Sequence, residues 1–348
     1  MGAPENIGQL CYLGCMKPTM NKKVLASLLA AATDYIPEGE RPDLTEFIEY
    51  FLKEQTDVKI NEWRGYRMWM GSSTETTKWA YEHWMPWKND VIIAAYAKTG
   101  TTWVRNIVSH LIYRRNQQAM EMYKNLHAFL VYLETGTPIK FEVLDKLPWK
   151  RRILATHMPA QLLNMKRIKA TGAKVICPIR NPKDQLVSWY NMAKKLPVPK
   201  NHKLVKSLYP RSWEEFLQVY TDGEQPLASK MGEWYPDYLL SWYKHKDDGN
   251  VHFVAYEDIK KDPSTEIRKI AEFLEVDITE EELDDVIFET SFSTMRRQSA
   301  HIEKKLDFYR KGEVGDWKNH LTVAQSEMID AKIEEKLGHT DLKFTYEP

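Results

Sequence analysis

The apolar run Val91-Ile92-Ile93-Ala94-Ala95 leads straight into Tyr96-Ala97-Lys98-Thr99-Gly100-Thr101-Thr102-Trp103. The run predicts a buried strand, and Trp103, Ile107, Leu111 and Ile112 then recur at helical spacing. A strand that passes through a glycine turn into a helix start makes an anion site. The first-turn N–H groups have no intrahelical partner, and the helix dipole is positive there. Lys98 adds a charge, and the threonines add hydroxyls. The segment suits a phosphate, although an ordinary strand-to-helix turn with a surface lysine shares the pattern. It is not a Walker A loop, which needs a glycine five residues before the second one and Lys-Ser/Thr after it. Here Ala95 stands at the first position, and Lys98 precedes Gly100.

Charge balance decides how such an anion must be held. Lys+Arg and Asp+Glu number 49 each over 348 residues, so bulk charge does not recruit nucleic acid or a membrane surface. A local cluster must do the work. Three cysteines (Cys11, Cys15, Cys177) are too few for a disulfide framework. Cys177 reads as a small buried hydrophobe, and no partner pair at ligand spacing turns Cys11 and Cys15 into a metal site. The usage fits a reducing compartment. No run reaches the length of a membrane span. Residues 1–6 lack the Ser/Thr of a myristoylation signal, and the apolar stretch 24–32 is too short and too far in for a signal peptide. A cytoplasmic protein with no membrane partner is expected.

Residues 1–60 read as an N-terminal helical extension, with helical patterns at 22–32 and 44–53 around Pro37 to Pro42. Residues 61–348 alternate strand and helix signals, which predicts one α/β domain with a mainly parallel central sheet flanked by helices. Strands are expected at 91–95, 153–156, 175–179 and 251–255. Helices are expected at 102–113, 182–195, 213–220, 264–274, 280–288 and 323–337. Asn181-Pro182 is a helix start, with Asn as cap and Pro in the first position. The proline-rich, basic segment 196–211 reads as a loop.

Four more segments carry chemistry. Arg180 sits at the carboxyl end of a predicted strand, where open α/β sheets bind ligands, and Ser188 follows two turns into the next helix. A structural salt bridge is an equal reading of Arg180 alone. In Tyr309-Arg310-Lys311-Gly312-Glu313-Val314-Gly315-Asp316-Trp317-Lys318, two adjacent cations beside a glycine can wrap a phosphate. In Thr156-His157-Met158-Pro159, a strand-end histidine is placed to act as a general base, though a lone histidine is more often structural. Tyr256-Glu257-Asp258 and Thr290-Ser291-Phe292-Ser293-Thr294-Met295, taken alone, read as caps or core.

In this order and approximate spacing, over residues 60–348, these strings resemble the cytosolic sulfotransferases. The resemblance implies transfer of the sulfuryl group of 3′-phosphoadenosine 5′-phosphosulfate (PAPS) to a hydroxyl on a small acceptor such as a phenol or sterol. Lys98, Thr99, Gly100, Thr101 and Thr102 would hold the 5′-phosphosulfate, with Lys98 stabilising charge on the bridging oxygen, and Trp103 would also bind the cofactor. Arg180, Ser188, Arg310, Lys311 and Gly312 would hold the 3′-phosphate. Tyr256, Thr290, Ser291, Phe292 and Met295 would surround the adenosine. His157 would be the base, and no metal is needed. Lys318, Thr322, Val323 and Glu327 match a short dimer motif, which implies a weak homodimer. One departure stands out: the family has Lys two residues before the catalytic His, and this chain has Ala155, with Lys150, Arg151 and Arg152 nearby. The connection from Met295 to Arg310 is also short for the family. The alternatives are a protein that binds PAPS or its product adenosine 3′,5′-bisphosphate (PAP) with weak or lost catalysis, an adaptor built on the N-terminal helices, and, against the misplaced lysine, a nucleotide kinase.

Overall fold

The computed structural model describes residues 22–54, 60–69, 71–126, 128–195, 207–210, 212–299 and 310–348. Cys11, Cys15, the opening residues 1–21, Tyr309, most of the 196–211 loop and the connection 300–309 lie outside them. Among the described residues the main sheet has four strands: β1 (Val91–Ala94), β2 (Ile153–Thr156), β3 (Lys174–Ile179) and β4 (Val251–Ala255). They lie in the order β2-β1-β3-β4, and every pairing is parallel. Ile92 of β1 is registered with Leu154 on one side and Val175 on the other. All of β1 and β2 is fully buried. Sheets covered on both faces need continuous apolar strands rather than alternating ones, which is why the sequence pattern marks them.

The chain leaves β1 for β2 on one side and then crosses back to β3 on the other. That reversal opens a crevice outside the carboxyl ends of the strands. The helices that matter for the site are α1 (Lys22–Thr33), α2 (Thr45–Glu54), α3 (Thr101–Tyr113), α4 (Pro182–Ala193), α5 (Tyr256–Lys261), α6 (Phe292–Ser299) and α7 (Val323–Leu337). Helix α4 starts as its sequence requires, with the Asn181 side chain accepting the Asp184 N–H at 2.8 Å. It ends two residues before the expected boundary. Helix α7 opens on a capping box in which Thr322 and Gln325 each accept the other's backbone N–H. The helices Gln117–Asn125, Ile139–Lys146 and Tyr235–Tyr243 fall between the expected elements. Two turns carry too few positions to reveal a periodicity.

Helices α1 and α2 do not stand apart. Leu25, Leu29, Phe47 and Phe51 are at most 1% exposed and belong to the same buried cluster as β1.

Candidate active site

Every strand of the main sheet delivers a chemically active residue at its carboxyl end: the 95–100 loop after β1, His157 after β2, Arg180 after β3 and Tyr256 after β4. The loop after β1 is turned by two left-handed residues, Lys98 (φ 70°) and Gly100 (φ 105°). The left-handed backbone costs about 1–2 kcal/mol at a non-glycine residue, so the surroundings must hold it. They do so from α4: Gln185 donates to the Ala97 carbonyl at 2.8 Å and accepts the Tyr220 hydroxyl at 2.5 Å. A Cβ at Gly100 would also stand a tight 3.2 Å from the Tyr256 ring. Thr101 opens α3, and Thr101, Thr102 and Trp103 of its first turn line the crevice. Thr99 is fully buried, and its hydroxyl donates to the Tyr96 carbonyl at 2.9 Å, so it shapes the loop from within.

Arg180 is pinned at its backbone by Tyr235, whose hydroxyl accepts the Arg180 N–H at 2.9 Å and donates to its carbonyl at 3.0 Å. Its guanidinium lies 4.4 Å over the Tyr256 ring and donates to the Glu313 carbonyl at 3.2 Å. That contact brings the 310–317 segment to the end of β3. Asp184 in the first turn of α4 fixes it further by accepting the N–H groups of Gly315 at 2.7 Å and Trp317 at 3.0 Å. Arg310 and Lys311 converge on the buried Asp316, Arg310 at 2.5 Å. Burial alone would raise the Asp316 carboxyl, but Lys311, Asn319 and Arg310 hold it well below the usual carboxylate range. Gly312 (φ 70°) packs on α6, where a Cβ would come within 2.4 Å of the Phe292 ring.

These groups line one cleft of about 1120 Å³ measured to its open mouth. Lys98, Gly100, Thr101 and Thr102 line it, as do Arg180, Ser188, Arg310, Lys311 and Gly312. Its aromatic and apolar lining includes Trp103, Tyr256, Phe292 and Met295. Trp103 and Tyr256 meet edge-to-face at 5.1 Å, which makes a rigid wall for a flat ring. Thr99, Thr290 and Ser291 are not among the lining residues. Thr290 donates to the Val286 carbonyl at 2.7 Å, and Ser291 accepts the Thr294 N–H at the start of α6.

His157 lines the same cleft and is 6% exposed. Its Nδ1 lies 2.5 Å from the Ala95 carbonyl. A carbonyl only accepts, so Nδ1 carries the proton and Nε2 keeps the lone pair that a base needs. Burial pushes the imidazole down to about 4, against a partial rise from the Ala95 hydrogen bond. Its backbone N–H donates to Glu134 at 2.7 Å, and its ring lies between Trp69 and Tyr132 at 5.6 and 4.9 Å. Glu134, Tyr132, Trp189 and Met192 are site residues beyond the sequence reading. Glu134 stands in the sequence only as a lone carboxylate closing the apolar stretch 129–133, and its tie to His157 is set by the fold.

Arg151 and Arg152, near Ala155 in sequence, do not reach the site. Arg152 is fully buried in an ion pair with Asp90 at 2.5 Å. Arg151 donates to the carbonyls of Asn89 and Leu274. Both sit at the amino end of β2, and Arg152 is five residue steps of extended chain from His157, about 16 Å.

A sulfotransferase domain model matches residues 88–341. The chain is 32% identical to sulfotransferase 1C2 of Rattus norvegicus over 274 residues, which span 74% of this chain and 86% of that one. It is 34% identical to sulfotransferase 1 family member D1 of Mus musculus over 289 residues, 76% of this chain and 91% of the other. Among solved structures, a mouse sulfotransferase (SULT7A1) complexed with PAP matches with a TM-score of 0.64 and 28% identity, covering 81% of this chain and 96% of that one. A non-Walker phosphate loop, facing cations and a strand-end histidine are therefore found in a chain that belongs to the sulfotransferase family and is a PAPS-dependent sulfotransferase.

Proposed function

We propose that this enzyme sulfates a hydroxyl on a small aromatic or alicyclic acceptor, a phenol or a sterol, using PAPS. The observation that carries the reading is that a single cleft is lined by Lys98, Arg180, Arg310, Lys311 and His157, with Tyr132, Trp189 and Met192 supplying an apolar side. Ligand sites of this kind pair a few polar groups with an apolar wall. Sulfuryl transfer parallels phosphoryl transfer, in which charge spreads over equatorial oxygens, so positioning and electrostatics carry the chemistry.

In this reading Lys98 and the α3 amino end, with Thr101 and Thr102, hold the 5′-phosphosulfate and stabilise the departing phosphate. Arg180, Ser188, Arg310, Lys311 and Gly312 hold the 3′-phosphate. Trp103, Tyr256, Phe292 and Met295 enclose the adenosine. Nε2 of His157 takes the acceptor proton as the oxygen attacks sulfur. The charges are met by protein cations and call for no metal. Thr99, Thr290 and Ser291 act by shaping the loop and α6.

The enzyme is further proposed to work in the cytoplasm as a weak homodimer through Lys318, Thr322, Val323 and Glu327. In support, Val323 is 75% exposed at the start of α7, which leaves its side chain accessible to a second copy. A thermal-shift series tests the nucleotide assignment: PAP should raise Tm, because a ligand that binds only the folded state stabilises it, and ATP-Mg²⁺ should not. Turnover of labelled PAPS over a panel of phenols, sterols and amines tests the acceptor. An amine-only profile would overturn the hydroxyl assignment.

A further inference from the structure

The wall behind His157 rests on the N-terminal helices. Tyr132 pairs with Ala155 of β2, and the Leu133 N–H donates to the Ala155 carbonyl at 2.9 Å. The next residue, Glu134, accepts the His157 N–H at 2.7 Å and the Trp69 indole N–H at 3.2 Å. This short segment therefore sets both the Tyr132 ring, which lines the cleft, and the backbone at His157. Polar ties stiffen it internally. Thr135 donates to the Phe129 carbonyl at 2.6 Å, and the fully buried Lys140 ammonium donates to the carbonyls of Tyr132 and Thr135.

The same segment also packs against α2. The Phe51 ring lies 4.6 Å from that of Phe129 and 4.9 Å from that of Phe47. Phe47 in turn occupies the space that a side chain at position 136 would need. Gly136 is left-handed (φ 67°), and a Cβ there would stand 2.3 Å from the Phe47 ring. Tyr50 adds a hydrogen bond to the Ser72 carbonyl at 3.3 Å. Tyr35, just beyond α1, accepts from Asn125 at 3.3 Å. Close-packed interiors transmit small displacements, and active-site geometry tolerates few of them: a shift of about 1 Å can cost on the order of 10²-fold.

We propose that α1 and α2 are the outer wall of the acceptor half of the site, with Phe47 and Phe51 as positioning residues that hold Tyr132 and Glu134, and through them His157. Nucleotide affinity should be largely independent of this wall, because the phosphate-facing groups are carried by the ends of β1 and β3 and by the 310–317 segment. Only the acceptor-binding part of the inference rests on the phenol reading.

The test uses the full chain with Phe51→Ala and Phe51→Leu. Hydrogen exchange at the amides of 131–136 and of His157 should quicken by about tenfold or more in Phe51→Ala, while residues 98–104 stay as protected as in wild type. Binding of 2-naphthol to PAP-saturated protein should weaken by about tenfold, with PAP affinity moving less than about twofold. Phe51→Leu should restore most of both effects, and if Phe51→Ala does not fold, Phe51→Val takes its place as the truncation. Ile267→Ala, a buried truncation in the helix Pro263–Phe273, is the control. It should lower Tm without quickening exchange at 131–136. Unchanged exchange at 131–136 in the folded truncation (Phe51→Ala or Phe51→Val), or equal losses of PAP and naphthol there, would overturn the proposal. A wild type that binds PAP but no naphthol would count against the phenol reading, and the exchange measurement would still decide this one.

Discussion

His157 is held neutral by its surroundings, and this makes its role testable. A depressed imidazole stays unprotonated well below its ordinary value of 6.5, down to about 4. Single-turnover transfer should therefore hold from pH about 8 down to about 5, with no acid limb in the usual histidine range. The sign for stability runs the same way. The unfolded chain takes up the proton near 6.5 and the folded chain only near 4, so stability should fall as pH drops through that window. His157→Asn should flatten that part of the slope in chemical denaturation. His157→Ala should lower turnover by about 10²–10⁴-fold while sparing PAP affinity, and full activity would remove it as the base. Ala155 is the second informative residue. Ala155 is fully buried two residues before His157 and does not itself line the cleft; with Arg151 and Arg152 committed elsewhere, a lysine at 155 tests whether one more cation near His157 speeds transfer. Single-turnover transfer should be faster in Ala155→Lys than in wild type, and an equal or slower rate would show that the charge is already met. The histidine was legible in the sequence because a strand-end Thr-His-x-Pro is a local pattern. Glu134 and Tyr132 were not, because their relation to His157 exists only across the edge of β2.

At the scale of elements, the site consists of loops fixed by other elements. The 95–100 loop is held from α4 through Gln185, and the 310–317 segment is held on the same helix through Asp184. Both of these cleft-lining loops thus share one support. Arg310 is the residue in these loops with the clearest readout. Arg310→Ala should weaken PAP binding by about 1.5–3 kcal/mol, the range for a charged hydrogen bond, and should barely alter binding of adenosine 5′-phosphate. Isothermal titration with both ligands checks this, and equal losses would show that Arg310 does not read the 3′-phosphate. The two loops were visible in the sequence because glycine, lysine and arginine at fixed spacing reflect local backbone needs. Asp316 gave no such signal. Its carboxylate matters only because the fold turns Arg310 and Lys311 onto it.

For the whole molecule, assembly is the open variable. Val323→Glu should convert a dimer to monomer in sedimentation without loss of PAP binding, and a wild type already monomeric at micromolar concentration would remove the interface. A short self-complementary segment is easily broken by one buried charge. The sheet itself was almost fully determined by sequence. Continuous apolar runs separated by helical patterns admit few arrangements other than a parallel sheet, and all four expected strands are present within about one residue of their expected bounds. Strand order was decided by tertiary structure. Nothing local says that β1 lies between β2 and β3, yet that order opens the crevice the ligand needs. The same holds for α1 and α2. Their amphipathic patterns foretold helices, but only packing placed Phe47 and Phe51 against the segment that carries Tyr132 and Glu134. Local spacing determines what a segment becomes, because backbone hydrogen bonding and side-chain period act over a few residues. Which segments meet depends on burying apolar faces hundreds of residues apart, and that is settled only when the whole chain closes on its core.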